Sequence, residues 1–562
     1  MAVSWRCSAA RHNEKTFENP RRRAYPLPFR AAGGPVRTMS HRKPIRLCLF
    51  LLALFPAMGT AVPEPGTYDV ILRGGLVVDG TDQPPFRADI GFKDGRIAKI
   101  GDLTGARAVK DVDARTKIVI PGILDILCHN ELLWSPLEQK RALKRGVTFG
   151  LVGNCGFSFL NVAKNLRMVE DQQQLLINVG SLIAQGTVRE AVMGKSHKAP
   201  TASEMRKMKA MVEQGLQEGA FGLSSGLGYE PGEWCKPEEL DNLASVLAKY
   251  DHAAYYTHIR NFRSEVLDAI REAVQVAENH RVPVIIQHLL FKMPSNWDQA
   301  DPGLRLIEKA RTDGLQVWAS TYPYDFWGNE VQIPLQQFLY LLPTAAKWTT
   351  YLKHPEKRDE VLDETRKRLA EYGDAHRIEI THLAPSAPQD WLGLRLDQLA
   401  RLRGMEPAET VLALLLETGN DVGVCYHGVS QEVLVRQIQA PYMLFGSDAA
   451  DDIPHPRNVG SFPRLLSHYV RDQGVIRLSE AVSRLTWEPA KLLGLKDRGL
   501  LKEGYWGDAV VIDYEHLEDR ATPVNPWETP KGIDLVVVNG RVVIEGDTLT
   551  GDFPGQALRR AQ

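Results

Sequence analysis

The chain has 562 residues, 44% of them hydrophobic and 24% charged, which suits a soluble folded body too large for one small domain. Its 68 basic side chains balance 69 acidic ones, for a formal net charge of -1, so no basic field holds a polyanion and nucleic acid is not expected as a partner.

Residues 1–61 differ from the rest. An Arg-rich opening leads to Met39, then His41-Arg42-Lys43 and Arg46, the apolar run Leu47–Met58, and Gly59-Thr60-Ala61. A basic start, a short apolar stretch and a small-x-small end form a secretory signal. The run falls short of the roughly 20 apolar residues that span a bilayer, so no stable membrane span is expected after the signal is removed. The pattern places the start at Met39, makes the residues before it an upstream extension, and predicts an exported protein, periplasmic or secreted. Two of six cysteines, Cys7 and Cys48, fall in this segment. The remaining four, Cys128, Cys155, Cys235 and Cys425, do not make a disulfide framework in a body this large.

Residues 62–120 read as short strands, with Val70-Ile71-Leu72, Leu76-Val77-Val78 and Ala88–Phe92 before a hairpin turn at Lys93-Asp94-Gly95-Arg96. Residues 497–562 repeat that character in Asp508–Asp513 and Leu535–Ile544. The two ends are therefore expected to share one small β-sandwich domain, with residues 121–496 inserted between them.

That middle alternates apolar runs with helical stretches, the pattern of a parallel sheet with crossover helices. Eight runs qualify as strands: Ile123–Cys128, Val147–Gly153, Ala220–Ser225, Ala253–His258, Val282–His288, Leu315–Tyr322, Val422–His427 and Tyr442–Asp448. Eight closes a (β/α)8 barrel of the TIM type, in the α/β class. The long stretch of about 325–407 has no barrel strand and is expected as an insertion covering the site.

At or just past the run ends stand His129, Cys155, Ser224 with Ser225, His258, His288, Tyr322 with Tyr324, His427 and Asp448. In a closed barrel these ends converge on one face, where such enzymes build their sites. A catalytic zinc takes about three protein ligands and keeps an open position. Cys155, His258 and His288 supply that set from three directions. Each alone reads better as a buried thiol or a hydrogen-bonded imidazole; together they favour a metal. Asp448 follows Phe445-Gly446-Ser447 and would face the same mouth as general acid/base, against a plain reading as a helix cap. His129 stands either as a weak or second-site ligand or as a hydrogen-bonded lumen histidine.

The ordered segments Val78-Asp79-Gly80-Thr81, Val152-Gly153-Asn154-Cys155-Gly156, Gly222–Tyr229, Tyr256-Thr257-His258-Ile259-Arg260, Gln287-His288, Tyr322-Pro323-Tyr324, Gly446-Ser447-Asp448 and His455-Pro456-Arg457 resemble the N-acyl-D-amino-acid deacylase (D-aminoacylase) family of the amidohydrolase superfamily. The resemblance covers nearly the whole chain after the signal. It implies zinc at Cys155, His258 and His288, proton transfer by Asp448, and binding of the substrate α-carboxylate by Arg457, with Tyr322, Tyr324 and Tyr229 as further substrate contacts. The implied substrate is a small N-acyl amino acid or related amide. A cyclic-amide hydrolase or D-specific dipeptidase on the same scaffold, and a secreted binding protein with a decayed metal site, are the alternatives.

Three departures stand out. Leu127-Cys128-His129 replaces the family's His-x-His, which implies one zinc ion per chain. Leu289-Leu290-Phe291 precede Lys292 where a lysine is expected sooner after His288. Ala449 follows Asp448 in place of glycine.

Overall fold

The computed structural model describes residues 67–129, 135–171, 174–327, 333–334, 354–418, 421–450 and 453–561. The expected export segment, 1–61, lies outside them. Among the described residues no helix is long and apolar enough to cross a membrane, and Cys128, Cys155, Cys235 and Cys425 are buried and outside any disulfide.

The two ends of the chain build one sheet. Its path runs Thr548–Leu549, Arg541–Glu545, Ile533–Val538, Ala509–Ile512, Ile118–Pro121, Tyr68–Val77, Phe86–Lys93 and Arg96–Gly101, and Ala108–Asp113 pairs with Tyr68–Val77. The seam is the antiparallel pairing of Ile118–Pro121 with Ala509–Ile512, in which Val510 faces Ile120. Alternation puts Val70, Leu72, Ile90, Phe92, Val511, Leu535 and Val537 into one buried cluster.

The middle forms a ring of parallel strands: Ile123–Asp125, Val147–Val152, Asn178–Ser181 continued by Ile183–Ala184, Gly222–Gly226, Ala254–His258, Val284–Ile286, Val317–Thr321 and Met443–Phe445. The ring closes through the parallel bridge of Cys128 with Ala449, where the Asp448 amide donates to the Leu127 carbonyl at 2.8 Å and the His129 amide to the Ala449 carbonyl at 2.7 Å. Leu124, Phe149, Leu151, Phe221, Tyr256, Ile285 and Leu444 fill it with apolar bulk, and the Phe149 and Phe221 rings meet edge to face at 6.1 Å.

Two strand assignments change. The expected run Val422–His427 is not in the barrel: Val422–Tyr426 is the central strand of a separate antiparallel sheet, between Ile333–Pro334 and Ile378–Leu383. The third barrel strand is instead Asn178–Ala184, which was not among the expected runs. A short all-apolar run fits either sheet, and periodicity cannot separate them. The insertion sheet therefore carries on to Tyr426. Its core, with Trp327, Tyr372, Leu412, Leu415 and Tyr426, is continuous with Leu290, Tyr322 and Tyr324 from the barrel's strand ends.

Beneath the mouth lies an ion pair between fully buried Asp125, at the end of the first barrel strand, and Arg145. Asp125 accepts from the Ser447 amide at 3.0 Å and from the Ser447 hydroxyl, while Arg145 reaches the Asn458 carbonyl at 2.6 Å and Asp125 at 3.3 Å. Burial pushes the Asp125 carboxyl up, against the pull of Arg145. Asp125→Ala would strand the guanidinium without its carboxylate, and should cost about 3–5 kcal/mol in urea unfolding. A cost within about 0.5 kcal/mol, the range of an ordinary surface change, would show that the pair does not hold the mouth together.

Candidate metal centre

Three barrel strands deliver the donor set. Cys155 comes three residues after Val147–Val152, His258 ends Ala254–His258, and His288 stands two residues beyond Val284–Ile286. The Cys155 Sγ lies 3.3 Å from His288 Nε2, and His258 Nδ1 lies 3.0 Å from the same nitrogen. The three ligand atoms all fall within 4.8 Å of one another. His129, Cys155 and Asp448 form a second group within the same limit, so the Cys155 sulfur belongs to both.

Cys155, His288 and Asp448 share an uncommon backbone state, with φ of 51°, 33° and 51°. Left-handed geometry at a non-glycine residue is strained and collects at sites whose surroundings enforce it. The enforcement around Cys155 is visible: its amide donates to Gln287 Oε1 at 3.3 Å, and its carbonyl accepts from the Tyr229 hydroxyl at 2.5 Å. Gln287 Nε2 in turn donates to Asn154 Oδ1 at 2.5 Å, and Asn154 Nδ2 donates to the Leu151 carbonyl at 2.6 Å. Gln287 and Asn154 had no expected role. In the sequence each immediately precedes a ligand, within segments that carry the family resemblance.

The electrostatics suit Cys155 and His258 as metal ligands. Burial pushes the Cys155 thiol up, but the nearby His129 and His288 outweigh it and bring the thiol below its ordinary value, toward the thiolate that metals take. Burial, with the charges of His288 and Lys292, drives His258 well below the usual histidine range and keeps it a neutral imidazole. Against burial, Arg457, His288 and His129 hold the Asp448 carboxyl far under the ordinary carboxylate range. Arg457 Nη1 lies 2.6 Å from Asp448 Oδ2, and His129 Nε2 lies 3.1 Å from Oδ1. Burial opposes charge on His129 too, yet Cys155 and Asp448 raise it well above its normal value.

The expected substrate contacts separate. Arg457 opens the helix Arg457–Arg464, is buried, and sits with its guanidinium 5.1 Å from the Tyr322 ring. Tyr229 packs edge-on against His258 at 4.8 Å and stacks on Phe157 at 5.5 Å, its hydroxyl engaged by the Cys155 carbonyl. Tyr324 sends its hydroxyl to Asp519 Oδ2 at 2.7 Å, in the C-terminal segment. His427, expected at the mouth, directly follows the insertion strand Val422–Tyr426 and pairs with Glu379 at 2.9 Å and Asp325 at 3.5 Å. Ser224 and Ser225 are fully buried in the barrel wall, bonded to the Gly153 carbonyl and the Tyr255 hydroxyl. Leu127 is buried against Gly446, where an added Cβ would come within 2.5 Å of the leucine.

The chain is similar over most of its length to known proteins. A family model described as amidohydrolase family matches residues 352–544. Over 518 residues the chain is 32% identical to an N-acyl-D-glutamate deacylase of Alcaligenes xylosoxydans xylosoxydans, covering 88% of this chain and 96% of that one. A D-aminoacylase of the same organism is 30% identical, with 88% and 98% covered. The crystal structure of an N-acyl-D-glutamate deacylase from Bordetella bronchiseptica, complexed with zinc and a phosphonate inhibitor, matches with a TM-score of 0.73 at 30% identity, covering 88% of this chain and 100% of that one.

Because the folded Asp448 carboxyl lies below its ordinary value, the unfolded chain takes up that proton first. Its contribution to stability is whole above the unfolded value, about 4, and is lost as pH falls toward the folded one. Chelator-treated protein should therefore lose stability below about pH 4 in urea unfolding, and Asp448→Asn should flatten that slope. Equal acid slopes in the two proteins would contradict the pairing.

Proposed function

The chain belongs to the N-acyl-D-amino-acid deacylase family of the amidohydrolase superfamily, and from that premise we propose that it hydrolyses the amide bond of N-acyl-D-amino acids using one zinc ion held by Cys155, His258 and His288. The observation that carries the reading is the meeting of one sulfur and two imidazole nitrogens within 4.8 Å at a barrel mouth that also holds a buried carboxylate. Three ligands of this kind leave a fourth position open, as a catalytic zinc requires. A zinc ion bound there supplies Lewis-acid activation of the amide carbonyl and of water.

The chain's own groups supply the rest. Asp448 is anchored through Oδ2 to Arg457, so Oδ1 is the atom that accepts the attacking water's proton and returns it to the leaving amide nitrogen. His129, 3.1 Å from Oδ1, steadies that oxygen. Arg457 keeps donors beyond the one spent on Asp448: its buried Nε has no hydrogen-bond partner among the described residues. A fixed, buried guanidinium with donors to spare suits a substrate carboxylate. Tyr322 supports it from the ring face. A single ion is favoured because Leu127, with no donor atom, takes the place of the first histidine of the family's His-x-His.

Two tests follow. Purified protein should carry zinc near one per chain and hydrolyse N-acetyl-D-amino acids in a panel that includes the L-forms, hydantoins and D-terminal dipeptides. Asp448→Asn should retain the zinc while kcat falls by about 10²–10⁴-fold; normal turnover in that variant would sink the mechanism, and a strong L preference the substrate reading. The enzyme is further proposed to act outside the cytoplasm, on the pattern of residues 39–61. Mass spectrometry of the exported chain should find its first residue at Val62, and an intact residue 39–61 segment on the mature protein would refute cleavage.

A further inference from the structure

His455 is fully buried two residues before Arg457 and lies outside both the metal donor set and the acid/base pair. Its Nδ1 accepts the backbone N–H of Arg457 at 2.9 Å, at the start of the helix Arg457–Arg464. The imidazole is boxed by the rings of Phe326 at 4.6 Å, Tyr324 at 5.4 Å and Tyr322 at 6.0 Å. Behind that box, the Tyr324 hydroxyl donates to Asp519 Oδ2 at 2.7 Å. The same pair grips the helix further along. An added Cβ at Gly460 would come within 2.0 Å of Asp519 Oδ1 and 2.4 Å of the Tyr324 oxygen, so both groups lie against bare helix backbone. The guanidinium of Arg464 lies 5.0 Å over the Tyr324 ring, and its Nε donates to the Pro323 carbonyl at 2.7 Å.

These contacts fix one short helix at its first, middle and last residues, and the first is Arg457. A histidine present only as packing would not need an acceptor nitrogen aimed at that amide. Burial, together with the charge of Arg457, drives the ring well below the usual histidine range, so the Nδ1 lone pair stays free to accept. Holding the Arg457 amide fixes the backbone there and so the direction in which its side chain leaves the helix, between the Tyr322 ring and Asp448.

We propose that His455, braced by the Tyr324–Asp519 hydrogen bond, is a positioning residue that aims the Arg457 guanidinium at the substrate carboxylate. This rests on the role given to Arg457 above. The test is a double-mutant cycle in the zinc-loaded full-length enzyme, reading KM for an N-acetyl-D-amino acid. His455→Ala should raise KM about tenfold, and Tyr324→Phe should raise it in the same direction by less. His455→Asn, whose Oδ1 offers an acceptor where Nδ1 stood, should recover most of that loss. In an Arg457→Met background, His455→Ala should add nothing to KM. Failure of the asparagine variant to do better than alanine, or a full additional penalty in the Arg457→Met background, would reduce His455 to packing. If Arg457→Met raises KM while His455→Ala does not, the positioning role alone is overturned. If Arg457→Met leaves KM unchanged, the carboxylate reading of Arg457 falls, and this inference with it.

Discussion

The buried pair of Asp125 and Arg145 is the constraint on which the mouth depends. A carboxylate and a guanidinium taken out of water each need several partners, and here those partners are the two segments that carry chemistry. Ser447, held by Asp125, is the residue before Asp448; Asn458, held by Arg145, is the residue after Arg457. The Asp448–Arg457 ion pair at 2.6 Å thus stands directly on the pair below it. Replacing the lower pair with apolar residues could keep the barrel filled, yet it would release both loops from the first strand.

Strain has a similar logic. Left-handed backbone at Cys155, His288 and Asp448 costs on the order of 1–3 kcal/mol at each position. The network of Gln287, Asn154 and Tyr229 offsets part of that cost around Cys155, and the Ser320 hydroxyl, accepting from the His288 amide at 3.1 Å, does so around His288. Hydrogen bonds from neighbouring side chains thus hold the Cys155 and His288 backbones in place.

Much of this was legible in the sequence, because barrel strands end in reactive residues and those ends must converge. Cys155, His258, His288 and Asp448 were readable for that reason. Asn178–Ala184 was not, since Asn178, Gly180 and Ser181 give it a turn-like composition; Asn178 is buried through bonds to Thr148 and Asn539, the latter 361 residues away. Val422–Tyr426 misled for the opposite reason, being apolar enough for a barrel yet belonging to the insertion. The bond from Tyr324 to Asp519 was not legible, because its partner is 195 residues on and leaves no periodic trace.

The seam between Ile118–Pro121 and Ala509–Ile512 bears on how the molecule is made. Vectorial synthesis delivers the first strand of that seam nearly four hundred residues before its partner. Until then Ile118–Pro121 presents an open, apolar edge, the kind of edge that recruits strands from other chains. The whole barrel has to emerge in the interval. Closing so long a loop delays the pairing and makes it the late step of assembly. Asp519 lies just beyond the seam, so the brace on Tyr324 also arrives last: a nascent chain can own a complete metal-binding mouth while the helix that carries Arg457 is still waiting for its support.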